Sequence, residues 1–415
     1  MKAAEEKTAP LRSRQIDSER WPDVAVVPHS HVRTAIAGML ARRASRLAGV
    51  RITTSADPAF DAVPTIRLAD ADEFRARLGS DGLIGLGEAW MSGAWTSPDL
   101  HRVLHALAEQ LNRIVPQPLQ RLRRWYDRPL PSDELGDHDA ARTNVARHYD
   151  LSNDLFATFL DPTMTYSGAL FEPGDDLATA QTRKLDAMLD AAHVGPGTRL
   201  LEIGSGWGSL AVRAASRGAY VTTITLSQQQ VDHTRLVARD AGVADRVDVA
   251  LCDFRDVHGR YDAIVSIEMI EAVGERYWPA YFTRIADLLT PTGRAALQAI
   301  TMDHEHMLAT RNSWGWIHKY VFPGGLIPSV RAIEETAQAD AGLAVRHLRS
   351  FGSDYAETLR LWRERFNLSR NTVLSLGFDD VFCRMWEYYL TYCQAGFSSG
   401  HLGVDQFVIT HGDAR

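Results

Sequence analysis

Only three cysteines, Cys252, Cys383 and Cys393, occur in 415 residues. They are too few for a disulfide framework and lack the close spacing of a metal site, so buried thiols in a reducing compartment are expected. No apolar run reaches the roughly 18 residues of a membrane-spanning helix, and no secretory hydrophobic stretch opens the chain. Neither a span nor export is therefore expected, and a cytoplasmic setting follows. Positive charge is also short. The 45 Lys and Arg stand against 52 Asp and Glu, a formal charge of -7, which argues against a general nucleic-acid binder. No internal repeat is found, which removes solenoids and arrays.

What is present is enough apolar material, 45% of the residues, to build a sizeable core over more than one ordinary domain. Residues 1–20 are rich in charge, Ala and Ser and read as a flexible tail. Residues 21–126 carry short strand candidates at 50–54 and 65–68 and helices around 30–47 and 100–115, which make a smaller α+β domain. The polar stretch 127–142, with Pro129, Pro131 and Gly136, reads as a linker, and 143–415 as the second domain.

The most informative segment is Leu200-Leu201-Glu202-Ile203-Gly204-Ser205-Gly206-Trp207-Gly208, an apolar strand that breaks into a glycine-rich turn at a helix start. Glycine permits positive φ and close backbone approach to a ligand, and the acidic strand end suits a cofactor bearing an amino group better than a diphosphate. S-adenosylmethionine meets that demand. A helical pattern over 209–217, strands over 219–226 and 247–252, and a helix start at Ser227 complete βαβαβ punctuation. Each strand ends at a candidate contact: Gly204 and Gly206, then Thr225, then Asp253 and Phe254. Open α/β sheets bind ligands at those carboxyl ends. Strands over 263–267 and 294–300 continue the sheet, with 344–348 and 406–410 as its last two members.

Several ordered motifs then carry a resemblance: His148-Tyr149-Asp150-Leu151-Ser152-Asn153-Asp154, Asp161-Pro162-Thr163-Met164-Thr165-Tyr166-Ser167, the glycine turn, Thr225-Leu226-Ser227, Phe322-Pro323-Gly324-Gly325 and Met385-Trp386-Glu387. Together they resemble the cyclopropane-fatty-acyl-phospholipid synthase family from about Asn144 to the C-terminus. The run Gly85-Leu86-Gly87-Glu88-Ala89-Trp90-Met91, with Gly93-Ala94-Trp95, extends the likeness into the first domain. The resemblance implies a Rossmann-like, seven-stranded class I methyltransferase sheet beside the smaller N-terminal α+β domain. It also implies an S-adenosylmethionine-dependent enzyme acting on the cis double bond of an unsaturated phospholipid acyl chain. By the same resemblance, Tyr166 and Ser167 hold the methionine carboxylate, and Gly204 and Gly206 line the amino-acid and ribose portion. Thr225 and Gln230 supply polar contacts, and Asp253, Phe254 and Ile267 meet the adenine end. Read as residues alone, Phe254 is equally a core aromatic, Thr225 a strand residue and Gln230 a solvated helix residue.

The implied chemistry is demanding, because an isolated alkene is a poor nucleophile. Methyl addition leaves a carbocation on the acyl chain. A proton must then leave, either from the new methyl, closing a cyclopropane, or from a chain carbon, leaving a methylene-branched chain. Negative charge near the cation and a positioned base are required. In the resembling family the base is bicarbonate. Glu271 and Tyr355 stand at its glutamate and tyrosine positions, and Ile300 at the isoleucine whose backbone contacts the anion. Two positions depart: Gly168 stands for the usual cysteine and Gln298 for the usual histidine, so bicarbonate binding is open. Glu268, where many relatives carry glycine, adds a second carboxylate and reads first as a structural salt-bridge partner, second as catalytic. The cyclopropane product is the first expectation and the methylene branch the alternative.

Two other classes stay in view, a methyltransferase for soluble small molecules and a noncatalytic lipid-binding descendant. The aromatic run Trp314, Trp316, Tyr320, Val321 and Phe322 suits an acyl channel or ordinary core. Arg33, Arg42, Arg43 and Arg46, among Val32, Ile36, Met39, Leu40 and Leu47, and a second cluster of Arg121, Arg123, Arg124 and Arg128, suit anionic headgroups in an acidic protein. Reversible contact with the inner face of an anionic membrane is the partner expected besides the lipid substrate, with self-association open.

Overall fold

The computed structural model describes residues 16–28, 31–57, 62–110, 113 and 152–412. The expected linker at 127–142, the arginine cluster at 121–128 and the first fifteen residues of the expected tail lie outside them. The chain forms two compact units, each discontinuous in sequence. The first takes Met1–Arg128, Trp314–Val321 and Phe366–His401; the second takes Pro129–Ser313, Phe322–Arg365 and Leu402–Arg415. A single cut in the chain does not reproduce this grouping.

In the first unit, strands β1 (Arg51–Thr53) and β2 (Thr65–Leu68) pair in parallel and β3 (Trp95–Thr96) joins β2 antiparallel. Two polar ties explain why later segments belong here. Trp90 donates its indole N–H to the Arg384 carbonyl at 3.1 Å, and the Arg384 guanidinium donates back to the Trp90 carbonyl at 3.1 Å. These bonds join helix Leu83–Met91 to helix Asp380–Ser398. The buried Glu88 carboxylate accepts from Lys319 Nζ at 2.5 Å and from the Tyr320 hydroxyl at 2.9 Å, which holds the short helix Trp316–Tyr320. Leaving Glu88 buried without those donors would be strongly unfavourable. Trp316 itself is buried edge-on to Tyr388, with ring centroids 4.8 Å apart, so this part of the aromatic run is core of the first unit.

The second unit is one seven-stranded sheet. Its strands are β4 (Arg199–Ile203), β5 (Tyr220–Thr225), β6 (Val247–Leu251), β7 (Tyr261–Ile267), β8 (Leu289–Met302), β9 (Leu343–Ser350) and β10 (Leu402–His411). Their spatial order is β6-β5-β4-β7-β8-β10-β9, parallel except for β10, which runs antiparallel to both neighbours. Period-two alternation sends successive side chains to opposite cores. Leu200, Val265 and Ala296 face a cluster with Leu185, Met188 and Ala211; Leu201, Ile264 and Leu297 face another with Tyr281, Phe282 and Phe407. Burial on both faces is why the centres of β4, β7 and β8 are largely apolar.

The order reverses direction at β4, where β5 lies on one side and β7 on the other. Chain ends beyond the parallel strands turn directly into capped helices or turns. Gly208, at φ +92, caps helix Ser209–Ser216, and the Ser227 hydroxyl accepts from the Gln230 N–H to cap helix Gln228–Asp240. The Asp253 carboxylate likewise caps the turn Phe254–Asp256. None of the three cysteines forms a disulfide; Cys383 is buried, while Cys252 and Cys393 are partly so.

Candidate active site

Gly204 and Gly206 lie immediately beyond β4, with φ of +95 and +49. Their roles differ. A Cβ on Gly204 would stand 2.6 Å from Met269 Sδ, so glycine is required for the chain after β7 to pass. A Cβ on Gly206 would meet nothing within 4 Å, so the space over that residue is open to a ligand. Thr225, Asp253, Phe254 and Ile267 are found at or just past the ends of β5, β6 and β7, on the same edge of the sheet. Thr225 Oγ1 donates to Gln230 Oε1 at 2.6 Å, so these two form one buried pair. Asp253 is engaged otherwise: both its oxygens accept from the Arg255 guanidinium, at 2.7 and 2.8 Å. Its carboxylate thus shapes the turn that carries Phe254, whose ring meets Tyr281 edge-on at 5.4 Å.

Tyr166 and Ser167 approach from a segment before the sheet. Tyr166 stacks on Trp362 with centroids 5.2 Å apart, and Ser167 Oγ accepts from Lys184 Nζ at 2.6 Å. Lys184 was not anticipated, although a signal existed. The stripe Leu177, Ala180, Gln181, Lys184, Leu185, Met188 and Leu189 is the buried face of helix Leu177–Ala191, and a lysine and a glutamine on such a stripe need a reason to be there. Gln181 donates to the Ser167 carbonyl at 2.8 Å. Burial pushes the Lys184 ammonium down to about 8, against the attraction of Glu268, Asp161 and Glu202. Burial pushes the Glu202 carboxyl up to about 8, against a hydrogen bond from Thr223 and the charge of Lys184.

Next to this cleft, the six residues singled out for catalysis converge. Gly168 N–H donates to Glu268 Oε1 at 2.8 Å, Gln298 Nε2 donates to the same oxygen at 2.9 Å, and the Tyr355 hydroxyl donates to Glu268 Oε2 at 3.0 Å. The orientation of the Gln298 amide is set from behind, because its oxygen accepts from Gln406 Nε2 at 2.9 Å. Glu268 N–H donates to the Gln298 carbonyl at 2.8 Å, anchoring the loop after β7 to β8. Glu271 Oε1 accepts from the Ile300 N–H, and Glu271 Oε2 is buried with no partner. The first reading of Glu268, a structural salt bridge, is therefore replaced: its contacts are three neutral donors, with no cation in contact among the described residues.

Glu268 adopts φ +52, a left-handed backbone unusual for a residue with a side chain. That conformation suits glycine and costs Glu about 1 kcal/mol or more, so it persists only where surrounding contacts determine it. Burial raises the Glu268 carboxyl, opposed by the Gly168 N–H, the charge of Lys184 and the donors Gln298 and Tyr355. Burial, then the charge of Glu268, push Glu271 up to about 8 with far fewer donors to offset it. Glu268 is thus the member of the pair furnished to carry negative charge, and Glu271 is the protonated one at neutral pH.

A groove of about 950 Å³ lies away from these residues, between helix Leu177–Ala191 and β9, with Arg294, Arg346 and Arg349 on its wall. It contains none of the cofactor or catalytic candidates. Among the described residues no helix is long and apolar enough to cross a membrane, and no cluster of metal-ligating side chains is found.

Residues 137–407 match the family described as mycolic acid cyclopropane synthetase. The tuberculostearic acid methyltransferase UfaA1 of Mycobacterium tuberculosis is 47% identical over 97% of this chain and 98% of its own. The cyclopropane-fatty-acyl-phospholipid synthase of Escherichia coli K12 is 34% identical over 88% of this chain and 91% of its own. Among solved structures, the mycolic acid cyclopropane synthase CmaA1 complexed with SAH and CTAB superposes with a TM-score of 0.61 at 32% identity, covering 66% of this chain and 99% of that one.

Proposed function

Because the chain belongs to the mycolic acid cyclopropane synthetase family of S-adenosylmethionine-dependent methyltransferases acting on lipid acyl chains, we propose that it methylates the cis double bond of an unsaturated phospholipid acyl chain and releases a methylene-branched chain. The observation that carries the reading is the carboxylate pair Glu268 and Glu271, partly buried beside the cofactor turn. Methylation of oxygen or nitrogen loses an acidic proton that water can take. Methylation of an alkene needs negative charge against a carbocation and a base for a carbon-bound proton, and this pair supplies both.

The cleft suits S-adenosylmethionine, which brings the reactive methyl group on a sulfonium. Open space over Gly206 accommodates the ligand, Ser167 and Tyr166 would face its carboxylate, and Lys184, bonded to Ser167, supplies positive charge beside them. Phe254 and Ile267 offer apolar surface for adenine. These residues bind and orient; the carboxylates beyond β7 manage the proton.

The product follows from what happens to the cation. After the methyl carbon bonds to one alkene carbon, the neighbouring carbon is electron-deficient. A hydride shift from the methylated carbon moves the deficiency there, and loss of a proton from the methyl group leaves a C=CH₂ branch. Proton loss from a chain carbon, the route expected from the sequence for the methylene branch, leaves an internal alkene instead, so that expectation is corrected and the branch requires the shift. Without it, loss of the methyl proton closes the ring. Two observations support the branch: the departures at Gly168, Gln298 and Glu268 from the anion site of ring-forming relatives, and near full-length similarity to a protein named for methylation.

The test is incubation of the full chain with methyl-labelled S-adenosylmethionine and dioleoyl phospholipid vesicles, followed by NMR of the extracted lipid. Vinylidene protons are expected. Upfield ring protons would reassign the product, and label appearing only in soluble metabolites would overturn the lipid reading. The basic residues Arg42, Arg43 and Arg46 of helix His31–Ala48 support reversible contact with anionic bilayers as the route to such a substrate.

A further inference from the structure

We infer that the carboxylate of Glu268 occupies the place that bicarbonate takes in the resembling family, so that this chain carries its own base and turns over without a bound anion. The inference rests on the reaction proposed above and names its base.

The donors are the first argument. The resemblance assigns the anion to positions 168, 271, 298, 300 and 355. Here the Gly168 N–H, the Gln298 amide and the Tyr355 hydroxyl all donate to Glu268, and the Ile300 N–H donates to Glu271. Every donor that position-by-position likeness would turn towards bicarbonate is engaged by a protein carboxylate. A bicarbonate would have to displace Glu268 from its donors or sit against its negative charge at short range, unfavourable by about 4 kcal/mol for two unit charges 4 Å apart at an effective dielectric constant of about 20.

Space is the second argument, and it links two departures that look unrelated in sequence. A Cβ at position 168 would lie 3.1 Å from Tyr355 Cγ, 3.2 Å from Tyr355 Cδ1 and 3.4 Å from Glu268 Oε1. The side chain missing at 168 and the side chain added at 268 are complementary: glycine at the first position leaves room for the Glu268 carboxylate and the Tyr355 ring that binds it. Glutamine at 298 completes the exchange. Its amide N–H is a donor at every pH, and with the oxygen held by Gln406 it is committed to donating towards Glu268. A histidine there would have been free to lose that proton.

The third argument is charge. Burial raises the Glu268 carboxyl, and the Gly168 N–H, the Lys184 ammonium at longer range, and the Gln298 and Tyr355 donors oppose that rise by favouring the ionised form. In the step assigned to it, a Glu268 oxygen forms an O–H bond to a proton of the methyl group on the cationic chain. The C–H electron pair becomes the new C=C bond, the cation is neutralised, and the proton passes to solvent after product departs. No co-reactant is needed.

The experiment uses the full chain, S-adenosylmethionine and dioleoyl phospholipid vesicles in buffer stripped of carbon dioxide, with bicarbonate then restored. The expected wild-type rate is the same in both conditions. Glu268→Gln should lose about 100-fold or more in turnover, the scale of a positioned base, with cofactor affinity by calorimetry little changed, which also reports that the variant is folded. Glu268→Gly, which returns glycine to the left-handed position, should be equally slow and should recover in part when bicarbonate or formate is added. A wild-type rate that collapses without bicarbonate and returns with it would overturn the inference, as would a folded Glu268→Gln protein at full rate. If wild-type protein binds cofactor but modifies no lipid in either buffer, the proposed reaction itself fails and the base assignment falls with it.

Discussion

Replacing Glu271 with glutamine should make the protein more stable at neutral and alkaline pH, although the residue is a catalytic candidate. Burial and the charge of Glu268 move its carboxyl from 4.5 to about 8. A group whose folded value lies above its unfolded value binds more protons in the folded chain between the two. Its stabilising contribution is complete below about pH 4.5 and is lost as pH rises through about 8. At about 1.4 kcal/mol per pH unit, the roughly 2.5 units up to pH 7 remove about 3 kcal/mol, and the whole interval about 5 kcal/mol. Glutamine stays neutral and its carbonyl oxygen can still accept from the Ile300 N–H, the bond that Glu271 Oε1 accepts now. Its NH₂ would stand where Oε2 has no partner, an unpaired donor costing about 1–3 kcal/mol. The balance is a gain of about 1 kcal/mol at pH 7 and about 3 kcal/mol at pH 9, with a loss of about 2 kcal/mol below about pH 4.5. Thermal melts of both proteins at pH 5, 7 and 9 read this as a difference that widens with pH, about 1–2 °C for each kcal/mol. A difference independent of pH, or a variant less stable than wild type at pH 9, would refute the reasoning.

Other outcomes follow from the same geometry. Gly206→Ala should lower S-adenosylmethionine affinity by about tenfold or more while costing only the roughly 1–2 kcal/mol of a left-handed backbone, because its Cβ meets no protein atom; unchanged affinity in calorimetry would remove the turn from the cofactor site. Lys184→Met removes a charge that lowers the Glu268 carboxyl, so the acid limb of the kcat/KM profile should move to higher pH, and a profile that stays in place would exclude Lys184 as a positioning residue. Cosedimentation with anionic vesicles should weaken as salt rises and weaken further in an Arg42, Arg43 and Arg46 to Gln triple variant; equal binding to neutral vesicles, insensitive to salt, would count against membrane attachment through these residues.

The sequence by itself determined the cofactor half of this protein, because that half is local. A glycine turn, period-two strands and caps such as Ser227 are decided by neighbours a few residues apart, so the order of strands and the residues at their ends are legible before any tertiary contact exists. Motif positions likewise singled out Gly168, Glu268, Glu271, Gln298, Ile300 and Tyr355 as a set. Tertiary structure alone decided what that set is. The three bonds to Glu268 join residues 30 to 100 positions apart, and the spatial fit between an absent side chain at 168 and an added one at 268 leaves no periodic trace in the chain. Asp253 shows the same limit from the other side: its position after β6 was readable, but not that Arg255 two residues on would occupy its carboxylate. The grouping of Trp314–Val321 and Phe366–His401 with the first unit was also invisible, since it depends on buried charges and indole bonds between distant segments. Hydrogen bonds, steric fit and the field at a buried carboxylate act through space, and only the folded chain sets those distances.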